Sequence, residues 1–144
     1  MNRKKVLIAA ASALVALGVL AALLLPSGGN VQSAKHIAHA TNLYTKEDIE
    51  AAFDAIESEF ASGFKGCMLK ELRYDDEIEA QYLDETPEHK QGDAGDRIVV
   101  LSEFTTNWQA ADEGFSPNDS YEDWQWILTR PSQGAPWKVV DWGY

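Results

Sequence analysis

The sequence predicts an α+β domain in which an N-terminal amphipathic helix packs on a curved antiparallel sheet, with a single transmembrane helix before it. Three observations support this fold class. A helix-capping signal near residue 45 opens an apolar stripe with helical spacing, and runs with strand-type alternation dominate the last third of the chain. Helical and strand segments are also segregated along the chain, which is typical of an antiparallel sheet with a helix on one face.

The N-terminal segment has the composition of a membrane anchor. Residues Val6–Leu25 carry no charge, and a helix of this length rises about 30 Å, the thickness of the hydrocarbon core of a bilayer. Arg3, Lys4 and Lys5 precede it, so residues 1–5 are expected to stay in the cytoplasm while the rest of the chain is exported. We therefore expect a single-pass protein of the cell membrane.

The same segment could instead be a signal peptide that is removed, in which case the protein is secreted. Its apolar run is longer than the roughly 7–15 residues usual for signal peptides, but Ser27-Gly28-Gly29 and Val31-Gln32-Ser33 offer small residues for cleavage. Both alternatives place the folded domain outside the cytoplasm. No cysteine follows the apolar run directly, which excludes a lipoprotein anchor.

Charge is divided unevenly along the chain. Residues 1–30 hold three basic side chains and no acidic one, whereas residues 31–144 hold nine Lys or Arg against 23 Asp or Glu, a net charge of −14. A body this acidic repels the phosphate backbone of nucleic acids, so the composition disfavours nucleic acid as a partner. We interpret most of the acidic side chains as a solvated surface.

Residues 26–43 are expected to form a linker, and residues 44–144 to form the extracytoplasmic domain. The linker segment is small and polar without a clear period. His36 and His39 lie in it with a three-residue spacing that would place both side chains on one helix face. A zinc site needs three or four protein ligands, and no third ligand is near in sequence, so we expect solvated histidines and no metal.

The clearest helix signal begins at Thr45. Thr45 and Asp48 have the spacing of a capping box, in which each side chain accepts a hydrogen bond from the other residue's backbone. The pattern that follows predicts an amphipathic helix over residues 46–62. Its apolar stripe consists of Ile49, Ala52, Phe53, Ile56 and Phe60.

Two strands are predicted before the C-terminal hairpin. Lys65–Tyr74 contains the single cysteine, Cys67, which is expected to be a buried core residue rather than a nucleophile because no histidine lies beside it in sequence. Arg97–Asn107 is apolar on both faces, as in a central strand. The acidic residues 75–96 between them are expected to be exposed, with one short helix before Pro87.

Residues 121–144 predict a hairpin around which the domain is built. Two alternating runs are separated by Pro131–Pro136, where proline and glycine turn the chain. The hairpin holds four of the five tryptophans, and Trp124 and Trp126, two positions apart, are expected to face the same side. Two strands alone cannot bury so many rings, so we expect the helix to cover them.

The loop at residues 109–120 contains oxygen donors of the kind that calcium prefers, namely Asp112, Glu113, Asn118 and Asp119. The alternating ligand pattern of a calcium-binding loop is missing. We therefore expect an acidic turn without a metal.

Several segments resemble a small exported domain of Gram-positive bacteria: YTKEDIEAAFDAI at residues 44–56, KGCMLKELRYDDE at residues 65–77, and DWQWILTR with PWKVVDWGY at the end of the chain. That family has no assigned function and is placed in the nuclear-transport-factor-2-like superfamily of cone-shaped α+β folds. The resemblance covers about residues 44–144. It implies a fold and an extracytoplasmic location, and little about activity.

Three classes of function remain open. In the first, the domain is a non-catalytic module held outside the membrane that binds a small ligand or peptide in the cone, and the expected pocket lining is Phe53, Trp124, Trp126 and Trp142. In the second, it is a structural or regulatory partner of another cell-envelope protein, and the interior of the cone is filled core.

The third class is an enzyme in the manner of ketosteroid isomerase, which needs an acid in a dry site and an oxyanion donor. Asp141 with Tyr121 or Tyr144 is the one arrangement that the sequence offers. An aspartate beside a tryptophan at a strand end is usually exposed or paired with a lysine. We therefore expect no catalytic residue and no cofactor.

Overall fold

The computed structural model describes residues 28–39, 41, 43–85 and 95–144. The expected transmembrane helix, Val6–Leu25, lies outside these residues, and within them no helix is both long and apolar enough to cross a membrane. The elements, in chain order, are β1 (Lys35–Ala38), α1 (Lys46–Gly63), β2 (Cys67–Tyr74), α2 (Asp76–Glu85), β3 (Asp96–Thr106), a 3-10 helix (Trp108–Glu113), β4 (Ser120–Arg130) and β5 (Lys138–Gly143).

The predicted fold class is wrong, because the sheet is mixed rather than antiparallel. Its five strands lie in the order β1-β2-β3-β4-β5. Strand β1 runs parallel to β2, whereas the other neighbours are antiparallel. Parallel neighbours need a crossover connection, which is helix α1, so helix and strands alternate in the first half of the domain. The sequence concealed this because β1 has only four residues and lies in a segment without periodicity.

The segment expected to be a linker packs on the domain from Gly28 onward and is hydrogen-bonded to it from Gly29. The backbone N–H of Asn30 donates to the carbonyl of Cys67 at 2.9 Å, and that of Leu69 donates to the carbonyl of Asn30 at 2.8 Å. A Cβ on Gly28 would lie 1.6 Å from the carbonyl oxygen of Ala61 in α1, so no other residue type fits there without a shift of backbone.

Helix α1 begins as the sequence predicts. The Thr45 hydroxyl accepts a hydrogen bond from the Asp48 backbone at 3.1 Å, and the Asp48 carboxylate accepts one from the Thr45 backbone at 3.2 Å, which confirms the capping box. The predicted stripe is buried in full: Ile49, Ala52, Phe53, Ile56 and Phe60.

Helix α1 and one face of the sheet enclose the hydrophobic core. The core residues of β3 and β4 that face the same interior are Ile98, Val100, Phe104, Trp126 and Leu128. Trp126 is fully buried, and its ring lies 6.4 Å from that of Phe60 on the helix. Its indole N–H donates to the Ser102 hydroxyl at 2.8 Å, so the one polar atom of the ring is satisfied.

The predicted central strand and hairpin are confirmed. Strand β3 is the third of five in the sheet, and Val99 and Leu101 are buried on the face opposite to Ile98 and Val100. Strands β4 and β5 pair antiparallel across the predicted turn at 131–136.

Candidate functional site

Of the four residues expected to line a pocket, two lie in the hydrophobic core and two at its edge. Phe53 and Trp126 are fully buried, Trp124 is half-buried, and Trp142 is 44% exposed. The rings of Trp126 and Trp142 lie 5.9 Å apart, across the β4–β5 pair. Phe53 instead contacts the ring of His36 on β1, at 5.0 Å.

Aromatic side chains fill the space between these residues. The ring of Phe64, just after α1, lies 5.2 Å from Trp126 and 6.0 Å from Trp142. Trp124 contacts the rings of Phe104 and Phe115 at 5.6 and 5.7 Å. The region around Trp126 is therefore packed core, and ligand binding there would require these rings to move.

The candidate acid and its tyrosine donors do not converge. Asp141 lies opposite Ile127 in the sheet and Trp142 opposite Trp126, so the two neighbours point to opposite faces. Tyr121 stacks on Phe104 at 4.8 Å, on the face that carries the helix. Asp141 is exposed, and its carboxylate accepts a hydrogen bond from the Trp142 backbone at 2.9 Å. This geometry does not provide a dry acid beside an oxyanion donor.

Cys67 is buried, as the sequence predicts. Burial, with a smaller contribution from the nearby charge of Glu113, raises the pKa of its thiol to about 11. The thiol therefore stays protonated near neutral pH. A protonated, buried thiol is a weak nucleophile and a poor metal ligand.

The two histidines of the predicted linker are paired with carboxylates. His36 lies between Glu50 and Glu57 of α1, with its Nδ1 2.9 Å from the first and its Nε2 2.8 Å from the second. His39 lies 3.7 Å from Asp75. The described part of the chain contains no cluster of three or more His, Cys, Asp or Glu side chains that could hold a metal ion.

One buried polar cluster was missed by sequence reasoning, which assigned the whole acidic segment to the surface. Glu79 of α2 is buried and accepts hydrogen bonds from the Tyr74 hydroxyl at 2.6 Å and from the Val99 backbone at 3.2 Å. Burial raises the pKa of Glu79, against the effect of both hydrogen bonds. The carboxyl group thus accepts a hydrogen bond from a part of β3 that does not pair with β2. In the sequence, Glu79 is one of many acidic residues in its segment, and nothing there distinguishes it from the exposed ones.

The outer edge of β5 is the most exposed apolar feature of the sheet. Among the described residues, no strand pairs with this side of β5. Val140 is 47% exposed. Trp142 is partly exposed, and the rest of its ring packs against the rings of Phe64 and Trp126, which fix its position. An open edge offers backbone donors and acceptors to a further strand, and a rigid half-exposed ring adds contact area at a small entropy cost.

Comparison with known protein families, curated proteins and solved structures finds no match to this chain. Functional inference therefore rests on the geometry of the domain. Among the features described above, the β5 edge combines backbone hydrogen-bonding capacity with exposed apolar side chains.

Proposed function

We propose that this chain is a membrane-held, extracytoplasmic, non-catalytic module that binds an extended segment of another cell-envelope protein along the outer edge of β5. The single observation that supports this function is the outer edge of β5 at Val140 and Trp142, with which no described strand pairs. Addition of a strand to such an edge is a common mode of peptide recognition, in which backbone hydrogen bonds give affinity and alternate side chains give specificity.

The chemistry of the partner follows from the charge of the domain. Residues 31–144 carry a net charge of −14, and Glu122 and Asp141 are exposed on the two strands of the hairpin, against one exposed lysine, Lys138. A basic segment is attracted by this field, whereas an acidic one is repelled. We infer a partner segment with alternating apolar side chains, one of which covers Trp142, and with Lys or Arg between them.

The proposal places the domain outside the cytoplasm on the strength of the sequence pattern of residues 1–25. Binding of a peptide at the β5 edge has more support than binding of a small ligand inside the domain, because the rings of Phe64 and Trp126 occupy the interior. An enzymatic role has no support from the placement of Asp141.

The test uses the full chain in lipid nanodiscs and a displayed library of short random peptides. We expect the selected peptides to alternate apolar and polar positions and to be basic. Trp142→Ser should weaken their binding at least about tenfold, because a central aromatic anchor contributes on the order of 2 kcal/mol. Trp108→Ser is the matched control, since Trp108 is exposed but lies on the 3-10 helix rather than on β5.

Hydrogen exchange locates the bound peptide independently. Binding should slow exchange of the backbone amides on the outer side of β5. If the selected peptides bind Trp142→Ser and the parent equally, or protect amides elsewhere, the β5 edge is not the binding site.

A further inference from the structure

The folded domain begins very close to the apolar segment of the chain. Leu25 and Gly28 are three residues apart, and three residues span at most about 11 Å even when fully extended. Gly28 packs against the end of α1 at Ala61, and the Gly29 backbone donates to the carbonyl of Phe60 at 3.3 Å. A membrane that holds Val6–Leu25 must therefore lie next to this part of the domain.

Gly28 identifies which end of the sheet faces that membrane. It lines a cleft of about 340 Å³ together with Gly66, Met68, Thr106 and Gln109. At this end, α1 and β3 finish, β2 and β4 begin, and the 3-10 helix packs on the turn at Gly66. We call it the Gly28 end of the domain.

Exposed aromatic side chains are concentrated at the Gly28 end. Trp108, between two residues that line the cleft, is 71% exposed. Tyr144 is 76% exposed and stacks on Tyr121, at the start of β4. Met68, at the start of β2, is also exposed. Tryptophan and tyrosine are the residues enriched where a protein meets the membrane–water interface.

The charges at this end allow contact with headgroups but oppose deep insertion. Lys65 and Lys70 lie near the cleft, and long basic side chains reach phosphate groups while their stems stay on apolar surface. Lys65 pairs with Asp112 at 3.6 Å, and Glu113 is on the same 3-10 helix. These acidic side chains oppose insertion of the 3-10 helix into the hydrocarbon core of a membrane.

From this geometry we infer that the Gly28 end rests on the lipid headgroups of the membrane that holds the chain, with Trp108 and Tyr144 in the interfacial layer. The inference relies on the membrane anchorage in the proposed function. The partner of this surface is lipid rather than another protein, because the connection from Leu25 to Gly28 is too short to admit a folded protein between Gly28 and the bilayer.

The test measures the distance of two positions from the headgroups in the full chain, reconstituted in phosphatidylcholine vesicles. A fluorophore is placed on Ala111→Cys in the 3-10 helix, or on Gln133→Cys in the turn between β4 and β5; both positions are exposed. Strand β4 has 11 residues, so the two labels are separated by about 36 Å along the sheet. Cys67 is buried and is replaced by alanine in both variants.

A nitroxide lipid labelled at the headgroup should quench the probe at position 111 several-fold more strongly than the probe at position 133. Adding Trp108→Ser to the first variant should reduce this quenching, and adding Lys46→Ser, at the opposite end of α1, should not. Adding negatively charged lipid to the vesicles should also reduce the quenching at position 111, because the acidic domain is repelled by such a surface.

Two results would overturn the inference, and they have different meanings. If the chain floats with the vesicles but both probes are quenched equally, the chain is anchored and the Gly28 end does not face the lipid. If the chain does not float with the vesicles, membrane anchorage itself fails. Neither result depends on peptide binding at β5, which is measured separately.

Discussion

The guanidinium group of Arg130 donates a hydrogen bond of 2.5 Å to the carboxylate of Asp48, and the two residues lie 82 positions apart in the chain. The same guanidinium donates to Asp96 at 2.8 Å and lies 4.3 Å from the centre of the Trp137 ring. Because Asp48 also forms the capping box with Thr45, one carboxylate both starts α1 and connects it to the hairpin.

Replacement of the buried Arg130 by methionine should therefore destabilise the domain by about 3 kcal/mol, because it leaves the partly buried Asp48 carboxylate without its charged partner. Urea unfolding followed by tryptophan fluorescence measures the loss. Arg73→Met is the control. Arg73 forms ion pairs with Glu71, Glu103 and Asp123, but its side chain is more exposed than that of Arg130, and exposed pairs contribute only about 0–1 kcal/mol each. Similar losses in the two variants would contradict a special role for Arg130.

The pairing of His36 with two glutamates should make stability depend on pH. Burial of the ring disfavours its charged form, but hydrogen bonds and charge attraction from Glu57 and Glu50 outweigh this and raise the pKa of His36 above 6.5. A raised pKa adds stability that is complete below about pH 6.5 and is lost as the pH rises through the folded-state value.

His36→Gln should thus lower the thermal midpoint more at about pH 5.5 than at about pH 8.5. His39→Gln, in which the replaced ring is mostly exposed, should change little at either pH. A larger effect of His36→Gln at the higher pH would show that the ring is bound in its neutral form.

Trp126 and Trp108 should respond very differently to truncation. Trp126 is fully buried against Phe60 and Phe64, so Trp126→Ala should cost about 3–5 kcal/mol, much of the 5–15 kcal/mol typical of a domain. Trp108→Ala removes an exposed ring and should cost far less. If Trp126→Ala melts like the parent but loses peptide binding, the ring belongs to the site and not to the core.

Cys67 should resist alkylation in the native state. Its thiol is buried, and its pKa is raised to about 11, so little thiolate is available near neutral pH. Iodoacetamide should label it only after unfolding, whereas an exposed cysteine at position 111 should react at once. Rapid native labelling of Cys67 would reveal an accessible or activated thiol.

The sequence predicted those elements whose signals are local. The capping residues Thr45 and Asp48 fix the start of α1, and the spacing of its apolar stripe fixes the buried face. Apolar residues on both faces marked β3 as central, because only a strand covered on both sides can bury them. Proline and glycine at 131–136 marked the turn of the hairpin.

The elements that the sequence concealed depend on distant partners. Strand β1 is defined by its pairing with β2, and His36 carries no hint that Glu50 and Glu57 lie 14 and 21 positions away in sequence but within hydrogen-bonding distance. Glu79 is buried because Tyr74 and the Val99 backbone satisfy its oxygens. The β5 edge became a candidate site only once the strand order placed β5 at one side of the sheet and β1 at the other.

The order of strands in the sheet equals their order in the chain, and this has a consequence for folding during synthesis. Each strand can pair with the one before it as soon as it has been synthesised, without waiting for a later segment, which favours rapid folding. The last strand to arrive, β5, covers one side of β4 and completes the aromatic cluster around Trp126. Until then β4 is itself an open edge, so the nascent domain is most prone to aggregation just before β5 is synthesised.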